Sequence, residues 1–194
     1  MIRASLALLA LAVSAPLAAA PAKLPRVDIK TDKGDIVIEL EVKKAPITAT
    51  NFLKYVDGKK LDGTTFYRAA RAKGDPKMGF VQGGIQHSIF RSFPPIAHEP
   101  TSKTGLKHIA GTISMARTEP GTAMGDFFIM VSPSPGMDAK GKSVGYAAFG
   151  RVVKGMDVVK AILAARTIAN AGSGSMKGQY IEKPVKILSV RRVP

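Results

Sequence analysis

Apolar and polar residues alternate in short runs over much of this chain. Val27, Ile29 and Thr31 alternate with charged residues, and Ile36, Ile38 and Leu40 alternate against Asp35 and Glu39. A period of two marks half-buried strands. Asp32-Lys33-Gly34 lies between the two runs and supplies glycine where a turn needs positive φ, so the segment predicts a hairpin. The period then changes. Ala49, Phe52, Leu53 and Val56 fall at i, i+3, i+4 and i+7, one face of a helix. Pro46 stands near its start, where a missing N–H costs nothing, and Gly58 is a natural stop. A second helix follows Gly155. Met156, Val159, Ile162 and Leu163 share its face, with Asp157 in the first turn and Arg166 near the end, both suited to the helix dipole. Val185, Ile187 and Ser189 alternate with Lys186, Leu188 and Val190 in a last strand. Two helices among many short strands predict a mainly β fold, a barrel or sandwich capped by helices. There is no internal repeat, and Ala171-Gly-Ser-Gly-Ser175 reads as a short flexible loop.

The first twenty residues break this pattern. Arg3 lies in a short polar start, Leu6 to Val13 is an unbroken apolar run, and Ala18-Ala19-Ala20 offers small residues for cleavage. That is the layout of a secretory signal peptide, and it is too short for a comfortable membrane span. The expected organisation is a signal peptide over residues 1–20, a short mature tail over 21–25 and one domain over 26–194. The mature protein is expected to be periplasmic or secreted, without a transmembrane anchor, and to act as a monomer.

Composition narrows the chemistry. The chain has 194 residues, 45% of them hydrophobic, enough for a sizeable core. It has no cysteine, which excludes disulfides and thiolate metal sites. The net charge is +15. The lysines and arginines come in scattered pairs such as Lys43-Lys44, Lys59-Lys60 and Arg191-Arg192, with little aromatic interleaving. They read as a solvated basic surface that favours anionic envelope surfaces or acidic clients, and no nucleic-acid partner is expected. His87, His98 and His108 are too widely spaced for a local metal site and read as surface or loop residues; no metal or cofactor is expected. Ser114 lacks a nucleophile elbow and a convincing triad.

Two stretches carry the strongest signal. Thr64-Thr-Phe-Tyr-Arg-Ala-Ala-Arg71 runs on to Gly79-Phe-Val-Gln-Gly-Gly84. Gly111-Thr-Ile-Ser-Met-Ala116 is followed by Gly125-Asp-Phe-Phe-Ile129. With the Pro-led helix before them, and Phe149-Gly-Arg-Val152 and Gly155-Met-Asp-Val-Val159 after them, this ordered set resembles the cyclophilin family of peptidyl-prolyl isomerases from about Val27 to Val193. The resemblance implies a closed eight-stranded antiparallel barrel capped by two α-helices, with a substrate groove on its outer surface. It implies that proline-containing polypeptides are the partners and that Arg68 is the catalytic cation. Phe66, Phe80 and Phe128 would line or adjoin the proline pocket, Gln82 would bind substrate backbone and steady Arg68, and the backbone of Ala116 would pair with extended substrate.

The chain also departs from the family pattern. Ala72-Lys-Gly-Asp-Pro76 lengthens the stretch between Arg68 and Gln82. Gly79 replaces an aromatic residue, Arg117 an asparagine and Tyr146 a histidine. Met137 stands near the pocket rim where a tryptophan or phenylalanine is usual. Asp126 replaces a glutamine and is expected in the groove, paired with Arg68 or Arg117 or selecting a basic substrate residue. These departures leave two functions open: an isomerase for exported proteins, or a module that holds proline segments with little turnover.

Overall fold

The hairpin forms as the alternation requires. In a computed structural model that describes residues 23–194, strand β1 (Arg26–Thr31) runs antiparallel to β2 (Gly34–Leu40), with Val27 opposite Ile38 and Ile29 opposite Ile36. Gly34 adopts φ 127° at the turn. The expected signal segment, 1–20, lies outside the described residues, as do Pro21 and Ala22 of the tail.

Six further strands complete the sheet: β3 (Thr65–Ala72), β4 (Asp75–Gly84), β5 (Thr112–Met115), β6 (Phe127–Met130), β7 (Ala147–Lys154) and β8 (Tyr180–Val193). All pairings are antiparallel, and the order β1-β2-β7-β5-β6-β4-β3-β8 closes on itself through β1 and β8. Closure leaves no open edge for another chain to pair with. The interior is filled by side chains. Phe127 packs edge-to-face on Phe66 and on Phe52, with ring centroids 5.7 and 5.5 Å apart, among Ile29, Ile38, Ile113 and Ile129.

Helix α1 (Pro46–Asp57) packs on β7 and β8, while α3 (Met156–Leu163) packs on β2, β3 and β4. No side chain at Ala45 caps α1. Instead the distant Glu99 carboxylate accepts from the backbone N–H groups of Ile47 and Thr48 at 3.1 and 2.6 Å and from the Thr48 hydroxyl at 2.6 Å. This satisfies free donors at the helix start and pins the long connection after β4.

Three features differ from expectation. A third helix, α2 (Thr101–Thr104), joins the two expected ones; its single turn is too short to show a helical period. The Ala72–Pro76 insertion is a continuation of the β3–β4 hairpin, Ala72 pairing with Asp75 around Gly74 at φ 89°. The last strand begins at Tyr180, earlier than Val185. No helix among the described residues is long and apolar enough to cross a membrane.

Candidate active site

The site begins with an irregularity in β3. Phe66 and Ala69 both belong to the barrel core, three positions apart instead of two. The β3–β4 register shifts between Phe66 and Arg68 to absorb the extra residue. Such a bulge re-aims side chains. Here it turns Tyr67 and Arg68 away from the interior together, while Phe66 is fully buried. Phe66 therefore packs inside the barrel and does not line the groove, a correction to the sequence reading.

Arg68 is clamped by two neutral amides. Its Nη1 donates to Gln82 Oε1 and its Nε to Gln179 Oε1, both at 2.8 Å. Gln82 lies opposite it on β4, and Gln179 is fixed by its carbonyl, which accepts from Ala69 N at 2.9 Å. The guanidinium stands 5.2 Å from the centre of the Phe80 ring. Burial lowers its pKa below the ordinary arginine value, and the titratable groups acting on it are Tyr67, Tyr180 and Tyr146, none a carboxylate. An arginine remains charged under these conditions, so the site holds a cation that no acid neutralises.

A relay behind Gln82 fixes which way its amide points. Gln82 Nε2 donates to the Tyr67 hydroxyl at 2.7 Å, and Tyr67 donates to Asp126 Oδ1 at 3.1 Å. A carboxylate only accepts, so Tyr67 must donate to it and accept from Gln82. That leaves Gln82 Oε1 for Arg68. Burial first, and then Asp126, push the Tyr67 phenol well above its ordinary pKa, which keeps it a donor.

Asp126 itself is buried, 4% exposed. Its carboxylate also accepts from Gln86 N at 2.8 Å and His87 N at 3.1 Å, where the backbone takes φ of 51° and 57°. Successive amides in this conformation form an anion-binding nest. The expectation that Asp126 faces the groove and pairs with Arg68 or Arg117 is therefore corrected: it lies beneath the groove and anchors the loop after β4.

Arg68, Phe80, Gln82, Ala116, Phe128, Met137 and Tyr146 line one groove of about 360 Å³. Phe128 forms its floor, 5.1 Å from Phe80 and 5.5 Å from Tyr146 between ring centres. Ala116 donates its N–H to Asp126 O at 2.9 Å as the chain leaves β5. His87, Arg117, Thr118, Ser175 and Met176 complete the lining. Ser175, Met176 and Gln179 escape sequence reading because they come from the Gly- and Ser-rich stretch, which carries no periodicity. Their one signal is a glutamine placed immediately before the last strand.

The glycines have backbone reasons. A Cβ on Gly79, at φ 131°, would overlap the Ala70 carbonyl oxygen, and one on Gly84 the Gly125 carbonyl oxygen. The aromatic residue missing at Gly79 is thus incompatible with this β3–β4 crossing.

His108 is buried, not a surface residue as expected from sequence. Its Nδ1 lies 2.8 Å from Asp138 Oδ1 and its Nε2 3.0 Å from Ser114 Oγ. The line resembles a hydrolase triad, but Ser114 is wholly buried in β5 and no substrate reaches it. The His108 ring stacks on Phe128 at 5.9 Å, so the line supports the groove floor.

The molecule is thus of the closed eight-stranded antiparallel barrel class, with an apolar groove on its outer wall and an uncompensated arginine beside it. Comparison with known proteins gives the family. Residues 26–192 match the family described as cyclophilin type peptidyl-prolyl cis-trans isomerase/CLD, and the chain belongs to that family. It is 36% identical over 168 residues to a peptidyl-prolyl cis-trans isomerase of Acinetobacter baylyi, covering 85% of this chain and 84% of that one. It is 37% identical over 152 residues to peptidyl-prolyl cis-trans isomerase B of Escherichia coli, covering 76% and 88%. The crystal structure of a Cryptosporidium parvum cyclophilin type peptidyl-prolyl cis-trans isomerase, determined in the presence of the dipeptide Ala-Pro, superposes with a TM-score of 0.65 at 23% identity, over 87% of this chain and 99% of that one. This last likeness concerns the fold.

Proposed function

We propose that this chain is a peptidyl-prolyl cis-trans isomerase that acts as a monomer on proline-containing segments of exported proteins. An X–Pro bond rotates over a barrier near 20 kcal/mol because the nitrogen lone pair is delocalised into the carbonyl, and unaided rotation takes tens to hundreds of seconds. Acceleration requires that the twisted amide be bound more tightly than either planar form. In the twisted amide the lone pair is localised on nitrogen. A fixed donor cation aimed there stabilises it more than the ground state.

The observation that carries this reading is the clamp on Arg68. Two amide oxygens hold the guanidinium in place without cancelling its charge. Phe80, Phe128, Met137 and Tyr146 offer an apolar seat for the proline ring beside it. No proton transfer or covalent intermediate is needed. Asp126, which with Gly79 and Tyr146 left a holding module open, lies beneath the groove and is occupied by Tyr67, Gln86 and His87.

The test is cis-to-trans conversion of an Ala-Pro peptide. Arg68→Ala is expected to lower kcat/KM about 100-fold or more, the scale of removing one pre-placed donor. Wild-type and variant rates both equal to the uncatalysed rate would sink the isomerase reading. The exported site of action rests on residues 1–20. N-terminal sequencing of protein recovered from the bacterial periplasm or medium is expected to begin at Pro21; an intact Met1 on protein confined to the cytoplasm would reject it.

A further inference from the structure

The groove carries a second arginine that the isomerisation chemistry does not use. Arg117 lies immediately after Ala116, and its guanidinium stacks 4.8 Å from the centre of the Tyr146 ring. Nη2 donates to Gly145 O at 2.5 Å and Nη1 to Thr118 O at 3.3 Å, while Nε is buried without an acceptor. An arginine offers five N–H donors, so this one is held in place with much of its capacity unspent. Among the described residues no carboxylate forms an ion pair with it.

The groove as a whole has the same bias. Its lining includes two cations, Arg68 and Arg117, and no aspartate or glutamate. The nearby carboxylate, Asp126, sits beneath the surface with Tyr67, Gln86 and His87 already donating to it. Tyr146, which orients Arg117, is also a wall of the proline pocket, 5.5 Å from Phe128. A client whose proline sits on Phe128 therefore passes its flanking side chains close to a pre-ordered, unpaired cation.

We infer that Arg117 is a specificity-determining residue that selects clients with an aspartate or glutamate next to the proline. The inference rests on the reading of this groove as the client site. A guanidinium fixed by stacking meets a carboxylate with little further loss of freedom, and complementary charge acts on partner choice more than on raw affinity.

The experiment uses the mature protein and a set of short peptides around Ala-Pro. Glu, Gln and Lys are placed in turn at each of the two positions flanking the dipeptide on either side, and both kcat/KM and Kd by NMR titration are measured. At one or more positions the Glu peptide is expected to exceed the Lys peptide by about fivefold, the factor that ~1 kcal/mol supplies. Gln should be intermediate, and the ratio should shrink in high salt. Arg117→Gln should bring the ratio near one, whatever it does to the absolute rate. Lys30→Gln, which removes the same charge from β1, should leave it. Equal values for Glu and Lys at every position would overturn the inference, as would an equal loss of ratio in both variants, which would trace it to overall charge. Absence of turnover on the Gln peptides would sink the isomerase reading alone, because the preference would still be read in Kd.

Discussion

Arg68 Nε donates to Gln179 Oε1 at 2.8 Å, across 111 positions of sequence. The bond joins the middle of β3 to the residue just before β8. It fixes the cation with an atom that carries no net charge. Gln179→Glu keeps an acceptor there but adds an anion, and Gln179→Ala removes the acceptor. If the field of Arg68 does the catalysis, the glutamate variant should lose more kcat than the alanine variant. A loss of about tenfold corresponds to ~1.4 kcal/mol of barrier. KM should change little in either, and melting temperatures should stay close to wild type. An equal loss of kcat in both variants would show that only the position of Arg68 matters, not its uncompensated charge.

The polarity of the Asp126–Tyr67–Gln82 relay gives a second expectation. Tyr67→Phe removes the acceptor for Gln82 Nε2, frees the amide to turn and should lower kcat several-fold through loss of Arg68 placement. Asp126→Ala strips the acceptor from Tyr67, Gln86 and His87 at once. The Tyr67 hydroxyl is buried, and leaving it unpaired costs about 1–3 kcal/mol. The amides of Gln86 and His87 are only part-buried and can turn to water, so urea unfolding should show a loss of about that size. Amide exchange at Gln86 and His87 should quicken. Unchanged exchange there would mean that the loop is held by something other than this carboxylate.

Gly79 tests whether the departure from the family pattern is a backbone requirement. Its φ of 131° is strained for any side chain, and a Cβ would meet the Ala70 carbonyl oxygen. Gly79→Ala is expected to destabilise the barrel by about 2 kcal/mol or more. Gly79→Phe, which restores the usual aromatic, should be worse and not better. A stable Gly79→Phe protein with faster turnover would show that β3 and β4 can cross in another way.

Much of this molecule was legible from its sequence, and the misses share a cause. The β1–β2 hairpin, α1 and α3 are read from side-chain period because each buries one face along its length. The groove residues Arg68, Phe80, Gln82 and Phe128 were marked by an ordered set of motifs. Phe66 and Asp126 were misplaced because direction is decided by a bulge at Tyr67 and by a nest at Gln86 and His87. Neither leaves a periodic trace. Gln179 was missed because its partner Arg68 lies 111 positions away and meets it only where β3 pairs with β8. His108 was misread because it sits in an irregular connection whose burial no side-chain period marks.

His108 provides the last test, through pH. Burial lowers its pKa below the ordinary value, outweighing the upward pull of the Asp138 carboxylate. Because Asp138 only accepts, the Nδ1 proton points at it, and Nε2 accepts from the Ser114 hydroxyl. The folded protein thus holds a neutral imidazole, while the unfolded chain takes up a proton near pH 6.5. Proton uptake by the unfolded state weakens folding as pH falls. The contribution is complete above about pH 6.5 and is lost progressively as pH drops toward the folded pKa. Carboxylates act in a lower window. Glu39, held below its ordinary value by hydrogen bonds from Arg151 and Arg26, loses its contribution only as pH falls beneath the glutamate range. Unfolding free energies from urea titrations between pH 7.5 and 5 should therefore fall for the wild type with a slope of up to about 1.4 kcal/mol per pH unit, and the urea midpoints with them. His108→Gln cannot titrate, so its midpoint should fall less over the same range, even if it starts lower. Parallel slopes for the two proteins would show that His108 is not the group whose protonation unfolds the groove floor.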